Sequence, residues 1–543
     1  MTHIPAAGKC LRLNEVFTRA VLLVGMICAT GGSPVFVSAH AEKQNDSAEV
    51  HFERGLQLAH AGELESAETE LRKAVLLKPN TSEFLSSLAT VLAMQKKLDE
   101  STSLFSEALK INPSDLRSRG YLAANLWQLH RYAETKQNLK IILNADPTDP
   151  QAKLLLGMVS ENGGDYVTAA TLLASVADLV HKHPEAIVAL ARSYYQIGER
   201  DKAAVCLRDL ANGQLGAPAA LLGAQVTDDM RDYVTAEALL ESVPAEFADP
   251  SQPRYRLAVV KFHAKQYEES ERILQKLISE GHEKGEVLRL LGWCYHKRNR
   301  NEDAIRTFRL AVQRDPIDEA NFLDLGRLLL EERRFVVALE LANRTVNAFP
   351  ASSNALLLLA SVELATEQFT DAAKMYSRSL SLDPSSAEGI LGLAKAQAGA
   401  GMREQARTTL ERAIEQFPGR AAFEIELATL LLKENDNGDT GSQVRAEQLL
   451  QAAAKHDPTL AEAQSQLGEL ALRRGQTAQA LVHLETAVRI SPESARAHFS
   501  QARGYRRAGR VEEAARETAL FEKLKEKESR VVAPPSPAAS PME

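Results

Sequence analysis

Prolines recur along this chain at a fixed interval. Pro79, Pro113 and Pro147 stand 34 residues apart, as do Pro316, Pro350, Pro384 and Pro418, and again Pro458 and Pro492. Each closes a similar string, among them AVLLKP, ALKINP, AVQRDP, SLSLDP and AVRISP. A period of this length means that one small supersecondary unit recurs. No such unit buries its apolar face alone, so stability comes from stacking on neighbours. The proline lacks the donor that a helix interior needs and so marks where a helix stops. Aromatic residues make up only 5% of the chain and Ala and Leu dominate, which favours helix over strand.

The register extends beyond the prolines. With Ala48 as the first residue, fourteen units follow: 48–81, 82–115, 116–149, 150–183, 184–216, 217–250, 251–284, 285–318, 319–352, 353–386, 387–420, 421–460, 461–494 and 495–528. The eighth place is Gly or Ala in every one, from Gly55 and Ala89 through Gly292 and Gly326 to Gly468 and Ala502. A second small column runs from Ala67, Ser101 and Thr135 through Ala304 and Ala338 to Ala480 and Ala514. Two such columns let two helix backbones approach closely. Larger residues one place before the first column, such as Leu88, Leu156, Leu291 and Leu467, fill the gaps between them.

In this pattern the chain resembles the tetratricopeptide repeat family. The unit Gly285–Asp318 carries Leu291-Gly292, Tyr295, Ala304, Phe308, Ala311 and Pro316 where that family has its signature residues. The resemblance implies an all-α, right-handed superhelical solenoid of antiparallel helix pairs. Units one to six would span 48–250 and units seven to fourteen 251–528. The unit 217–250 fits worst, because Pro218 falls in its first helix and Pro244 in its second, and a bend or loosening is expected there. The unit 421–460 holds six extra residues near 435–440, within KENDNGDTGSQ. An EF-hand loop would want acids where Lys433 and Val444 stand, so a solvated loop is expected.

The ends have their own composition. Lys9, Arg12 and Arg19 precede the apolar AVLLVGMICA, and VFVSAHA ends in Ala39-His40-Ala41. This is the layout of a secretory signal peptide over residues 1–41, so the chain is expected to be exported, periplasmic or extracellular. An uncleaved leader serving as a membrane anchor is the alternative. A polar lead-in, 42–47, follows. FEKLKEKESR (521–530) reads as a charged closing helix, and the Pro/Ala/Ser-rich 529–543 as a disordered tail. Net charge is −8, and the leader removes three basic residues against one acid, Glu15. An acidic surface offers no general attraction for nucleic acid, and the mature chain has no run apolar enough to span a bilayer. Only Cys206 and Cys294 remain beyond the leader, which excludes a disulfide scaffold.

The repeats leave no segment for a separate catalytic domain. No H-E-x-x-H, G-x-x-x-x-G-K-[ST], G-x-S-x-G or paired C-x-x-C is present, and neither a cofactor nor a metal is expected. The histidine cluster His181–His183 falls in a turn between units. In LLGWCYHKRNR (290–300), Cys294 takes an inward place while His296 lies about 200° further round the helix, so the two do not pair. Asn299 falls in the turn, where a left-handed residue is wanted.

What remains is surface, and the resemblance implies a groove lined by the first helix of each unit at its second, fifth, ninth, twelfth and thirteenth places. From 184 to 352 those places give Arg192, Tyr195, Tyr255, Phe262, His263, Arg289, Trp293, His296, Lys297, Arg327 and Leu330. Aromatic and cationic groups together are usual anchors of a protein or peptide partner. Elsewhere the places are bland, as at Ser86, Thr90, Ser361 and Ala398. The last unit has Arg496, Phe499, Arg503, Arg506 and Arg507, read equally as a solvated end or as a binding patch. The family's clamp for a C-terminal carboxylate needs Asn at a ninth place and at the next sixth place. The ninth place never holds Asn here, and Asp324 stands at the sixth place after Trp293. Two functions fit. One is a non-enzymatic interaction scaffold of the cell envelope. The other is a permanent accessory subunit of an export or polymer-secretion assembly. An enzyme using Cys294 and His296 is a third reading with no motif behind it.

Overall fold

A computed structural model describes residues 47–211, 216–244, 247, 249–434 and 440–532. The leader, residues 533–543 of the tail and the centre of the Asp/Asn-rich insert lie outside them, while residues 529–532, read as the start of the tail, continue the closing helix. Among the described residues the chain is helical with no strand. It forms two compact units, Met1–Ile273 and Leu274–Glu543. Within each, helices alternate as antiparallel pairs, such as Ala48–His60 with Leu64–Leu77 and Gly285–Lys297 with Asn301–Arg314. The first helices begin at Ala48, Ser82, Leu116, Pro150, Pro184, Ala217, Ser251, Gly285, Glu319, Ser353, Ala387, Ala421, Ala461 and Ala495, where the sequence period restarts. This is a tetratricopeptide-type solenoid architecture.

The columns explain the packing. Ala89, Ala123, Ala191, Ala258, Ala360, Ala394 and Ala428 at the eighth place are wholly buried. In the second column so are Ala67, Ser101, Thr135, Ala169, Ala203, Ala236, Ser270, Ala304, Ala338, Ala372, Ala406, Ala446 and Ala480. Where the eighth place is Gly, a large side chain sits on it, from the partner helix at Gly55, Gly157, Gly292 and Gly468 and from Leu358 of the next first helix at Gly326. A Cβ at Gly55, Gly157 or Gly468 would lie 2.6 Å from Leu71, Leu173 or Leu484, and one at Gly292 would lie 2.7 Å from Phe308. Two polar members of the second column are satisfied across the pair, while Thr135 donates to the Arg131 carbonyl at 3.0 Å. Ser101 donates to the Ala89 carbonyl at 2.6 Å and Ser270 to that of Ala258 at 2.7 Å.

Turn chemistry fixes the hairpins. The second residue after the first helix has positive φ at Gly62, Lys96, His130, Gly164, Gly198, Arg231, Lys265, Asn299, Arg333, Glu367, Gly401, Gly475 and Gly509. The left-handed residue lets the chain reverse and hands its neighbours' N–H groups to the last helical carbonyls. Lys97 N–H bonding Leu92 O at 2.9 Å is one case. Second helices ending at Leu77, Ile111, Ala145, Arg314, Ala348, Leu382, Gln416, His456 and Ile490 each stop two residues before the recurrent proline.

The unit 217–250 departs from the sequence expectation. Pro218 does not disturb its first helix, Ala217–Asp229, because it lies in the opening turn, where N–H groups have no intrahelical partner. The second helix, Tyr233–Glu241, is short at 9 residues and ends before Pro244. Its core is continuous all the same: Ala219, Leu221, Ala224, Ala236 and Leu239 share one buried cluster with Leu190 and Val260. The segment after the insert is a helix, Thr440–His456, and the closing helix runs Val511–Val532. Among the described residues no helix is long and apolar enough to cross a membrane.

Candidate functional site

In the unit from Leu274 onward the candidate side chains centre on the helix Gly285–Lys297 and the next first helix, Glu319–Glu331. Arg289 and Trp293 are each only 6% exposed. The Trp293 indole N–H donates to Asp324 Oδ2 at 2.9 Å. Arg289 donates through Nη1 to Asp318 Oδ2 at 3.1 Å, and its Nε lies 3.7 Å from Asp324 Oδ2. Asp318 also caps the helix Glu319–Glu331 by accepting the Ala320 N–H. The sequence reading placed Arg289 and Trp293 on an open groove. The structure draws both beneath the surface, because two carboxylates of the following helix satisfy them. Burial holds the Asp324 carboxyl above its ordinary range, against the Trp293 N–H and the Arg289 and Arg327 charges, which pull it down.

Trp293 also packs edge-on against Phe308 and His296, each with centroids 5.5 Å apart. His296 is half-buried, with Nδ1 3.1 Å from Asn301 Oδ1 and Nε2 3.5 Å from Glu331. Cys294 is fully buried. Lys297 lies 5.8 Å over the Trp293 ring and is exposed, as is Arg327, while Leu330 is half-buried. Among the described residues neither Lys297 nor Arg327 has a hydrogen-bond partner. The buried Asp324–Trp293–Arg289 framework therefore carries two cations free to meet a ligand.

The same geometry recurs along this unit. The ninth place of one first helix meets the sixth place of the next at Lys395–Glu426, 3.6 Å, at Thr429–Gln466, 3.2 Å, and at Ser500–Glu469, 2.6 Å. Opposite Arg327 the sixth place is Leu358, which cannot accept a hydrogen bond. This leaves the guanidinium outward.

In the unit ending at Ile273 the candidates have acidic partners that the sequence reading missed. Arg192 pairs with Glu161 at 2.6 Å. The Tyr195 hydroxyl donates to Asp232 at 2.6 Å, and burial, then that carboxylate, push the phenol's pKa up. His263 Nδ1 lies 2.8 Å from Asp228, whose hydrogen bond raises the imidazole's pKa. Phe262 packs edge-on against Tyr267 at 5.3 Å, and Tyr255 is half-buried. Each acidic partner lies on a neighbouring pair, 31 to 37 residues away. The period could have found them only by laying adjacent units side by side and comparing neighbouring places. His183 opens the helix Pro184–Gln196 and burial lowers its pKa. Among the described residues no group of three or more His, Cys, Asp or Glu side chains could hold a metal.

Family models for the tetratricopeptide repeat match residues 52–115, 229–294, 286–318, 323–387, 363–431 and 465–520, together more than half of the chain. The chain belongs to the tetratricopeptide repeat family. No curated protein matches it. Among solved structures, yeast Tom70 is similar at 15% identity and TM-score 0.39, covering 88% of this chain and 99% of its own. The Naa15/Naa10 complex bound to HypK-THB gives 13% identity and TM-score 0.41, covering 89% and 94%. MamA gives 22% identity and TM-score 0.26, covering 32% and 97%.

Proposed function

We propose that this tetratricopeptide repeat protein is a non-enzymatic interaction scaffold of about fourteen repeats. It acts in the cell envelope and holds a protein partner, or an extended segment of one, on the first-helix face. The observation that carries the reading is the surface around Trp293. A buried, internally satisfied framework presents Lys297 and Arg327 outward beside Leu330 and His296. Rigid anchors with exposed cations suit carboxylates and backbone carbonyls of an extended chain, since nothing need reorganise on binding. The signal-peptide layout of residues 1–41 supports the envelope location.

The test is crosslinking and affinity capture of the exported protein from its native envelope, comparing wild type with Lys297→Glu/Arg327→Glu. These exposed residues are better probes than Arg289 or Trp293, whose removal would also damage the fold. Loss of specific partners with unchanged helix content supports the proposal. Unchanged capture refutes the assigned surface. Copurification at fixed stoichiometry with a membrane channel assigns the chain instead as a permanent subunit of an export assembly.

A further inference from the structure

A second surface lies at the last described helix pair, Ala495–Arg507 with Val511–Val532. In the first pair, Phe52 at the fifth place is stacked by Phe84 of the following first helix, with centroids 4.5 Å apart. Among the described residues no first helix follows Ala495–Arg507. Phe499, at the same fifth place, meets Phe521 of the closing helix instead, at 5.2 Å, and stays 43% exposed.

Cations flank this ring pair on both sides. The Arg503 guanidinium carbon lies 5.9 Å from the Phe499 centroid, and Lys525 Nζ lies 5.6 Å from that of Phe521. Arg507 is exposed and has no partner among the described residues. Among the described residues Arg506 bonds only the neutral Thr518 hydroxyl, at 2.9 Å. Glu517 holds His498 at 2.5 Å, Glu485 holds the Tyr505 hydroxyl at 3.0 Å, and Glu462 holds Arg496 at 3.0 Å, while Glu522 and Glu526 stand beside Lys525 on the closing helix.

We infer that this cation-flanked aromatic pair is a docking surface for a short acidic protein segment bearing an aromatic or large apolar side chain. Charge complementarity names the occupant. Arg503 and Arg507 offer charge-assisted bonds to carboxylates beside two half-open rings that would take an apolar side chain between them. Extended polyanions fit less well, because the chain as a whole is acidic, with 72 acidic against 64 basic residues. A duplex or an anionic bilayer meets that wider field. A short segment meets only the local cations, since charges more than about 8 Å away are screened at physiological salt.

The experiment is fluorescence anisotropy of the chain with a labelled Asp/Glu peptide carrying one phenylalanine, and with its Lys-substituted counterpart. Vesicles containing phosphatidylserine are measured alongside. The acidic peptide should bind, weaken with salt, and lose about tenfold or more in affinity with either Arg503→Glu/Arg507→Glu or Phe499→Ala. Arg378→Glu, exposed and remote, should change nothing, and circular dichroism should show every variant folded. Equal binding by the charge-reversed variant, no binding of the acidic peptide, or preference for the vesicles would overturn the inference.

Discussion

Glu363 provides a sharp test of the packing scheme. It occupies the eleventh place of the first helix Ser353–Ala365, where other units carry Leu92, Leu126, Tyr295, Leu329 or Tyr505. The residue is 9% exposed, and its buried Oε2 has no hydrogen-bond partner. Burial, then the neighbouring Asp371 charge, push its pKa to about 7, with Lys374 opposing. An unfolded carboxyl releases its proton near pH 4.3. Between these values the folded chain holds a proton that the unfolded chain has lost, so stability here falls as pH rises through that window. The penalty is complete above pH 7 and amounts to about 4 kcal/mol, at roughly 1.4 kcal/mol per unit. Glu363→Gln removes the charge and should recover most of that at pH 8, and almost nothing below pH 4.5. Because a repeat array opens locally, the assay is hydrogen exchange of the segment Ser353–Leu382 at both pH values, not a single global melt. An equal gain in protection at both pH values, or none at pH 8, refutes the reasoning.

Three further outcomes follow from the same geometry. Gly292→Ala puts a methyl 2.7 Å from the fully buried Phe308 ring and should cost about 1–3 kcal/mol, read as lost exchange protection in Gly285–Arg314. Glu367→Gly relieves a non-glycine residue at φ 62° and should stabilise its hairpin by about 1 kcal/mol, read as slower local exchange. Asp324→Ala leaves the Trp293 indole N–H and part of Arg289 without their buried acceptor. It should cost about 1–3 kcal/mol and red-shift tryptophan emission as water enters.

The helix pairs were legible because packing two helices closely demands small residues at fixed places, and a fixed period exposes those places. The turn at Asn299 was legible for the same reason: only certain residues accept a positive φ cheaply, and it has φ 58°. Pro218 was placed in the right helix but read as disruptive, although the register starts that helix at 217 and a proline in the opening turn removes no intrahelical hydrogen bond. The candidate surface was legible as a face but not as a set of available groups. Arg289 and Trp293 read as open anchors from one helix alone, and their partner Asp324 stands on the next first helix. That aspartate was visible in the sequence, but only as a residue that breaks the carboxylate clamp. Its pairing with the preceding ninth place appears once neighbouring helices are laid side by side.

The central claim is that the first-helix face holds a protein partner. Site-specific photocrosslinking tests it most directly, with the crosslinker placed at Arg327 on that face and, separately, at the exposed Arg306 on the second helix. The account predicts one discrete set of protein adducts from position 327, absent from position 306 and competed by unlabelled protein. Identical adducts from both positions, or none from position 327 in the native envelope, would contradict it.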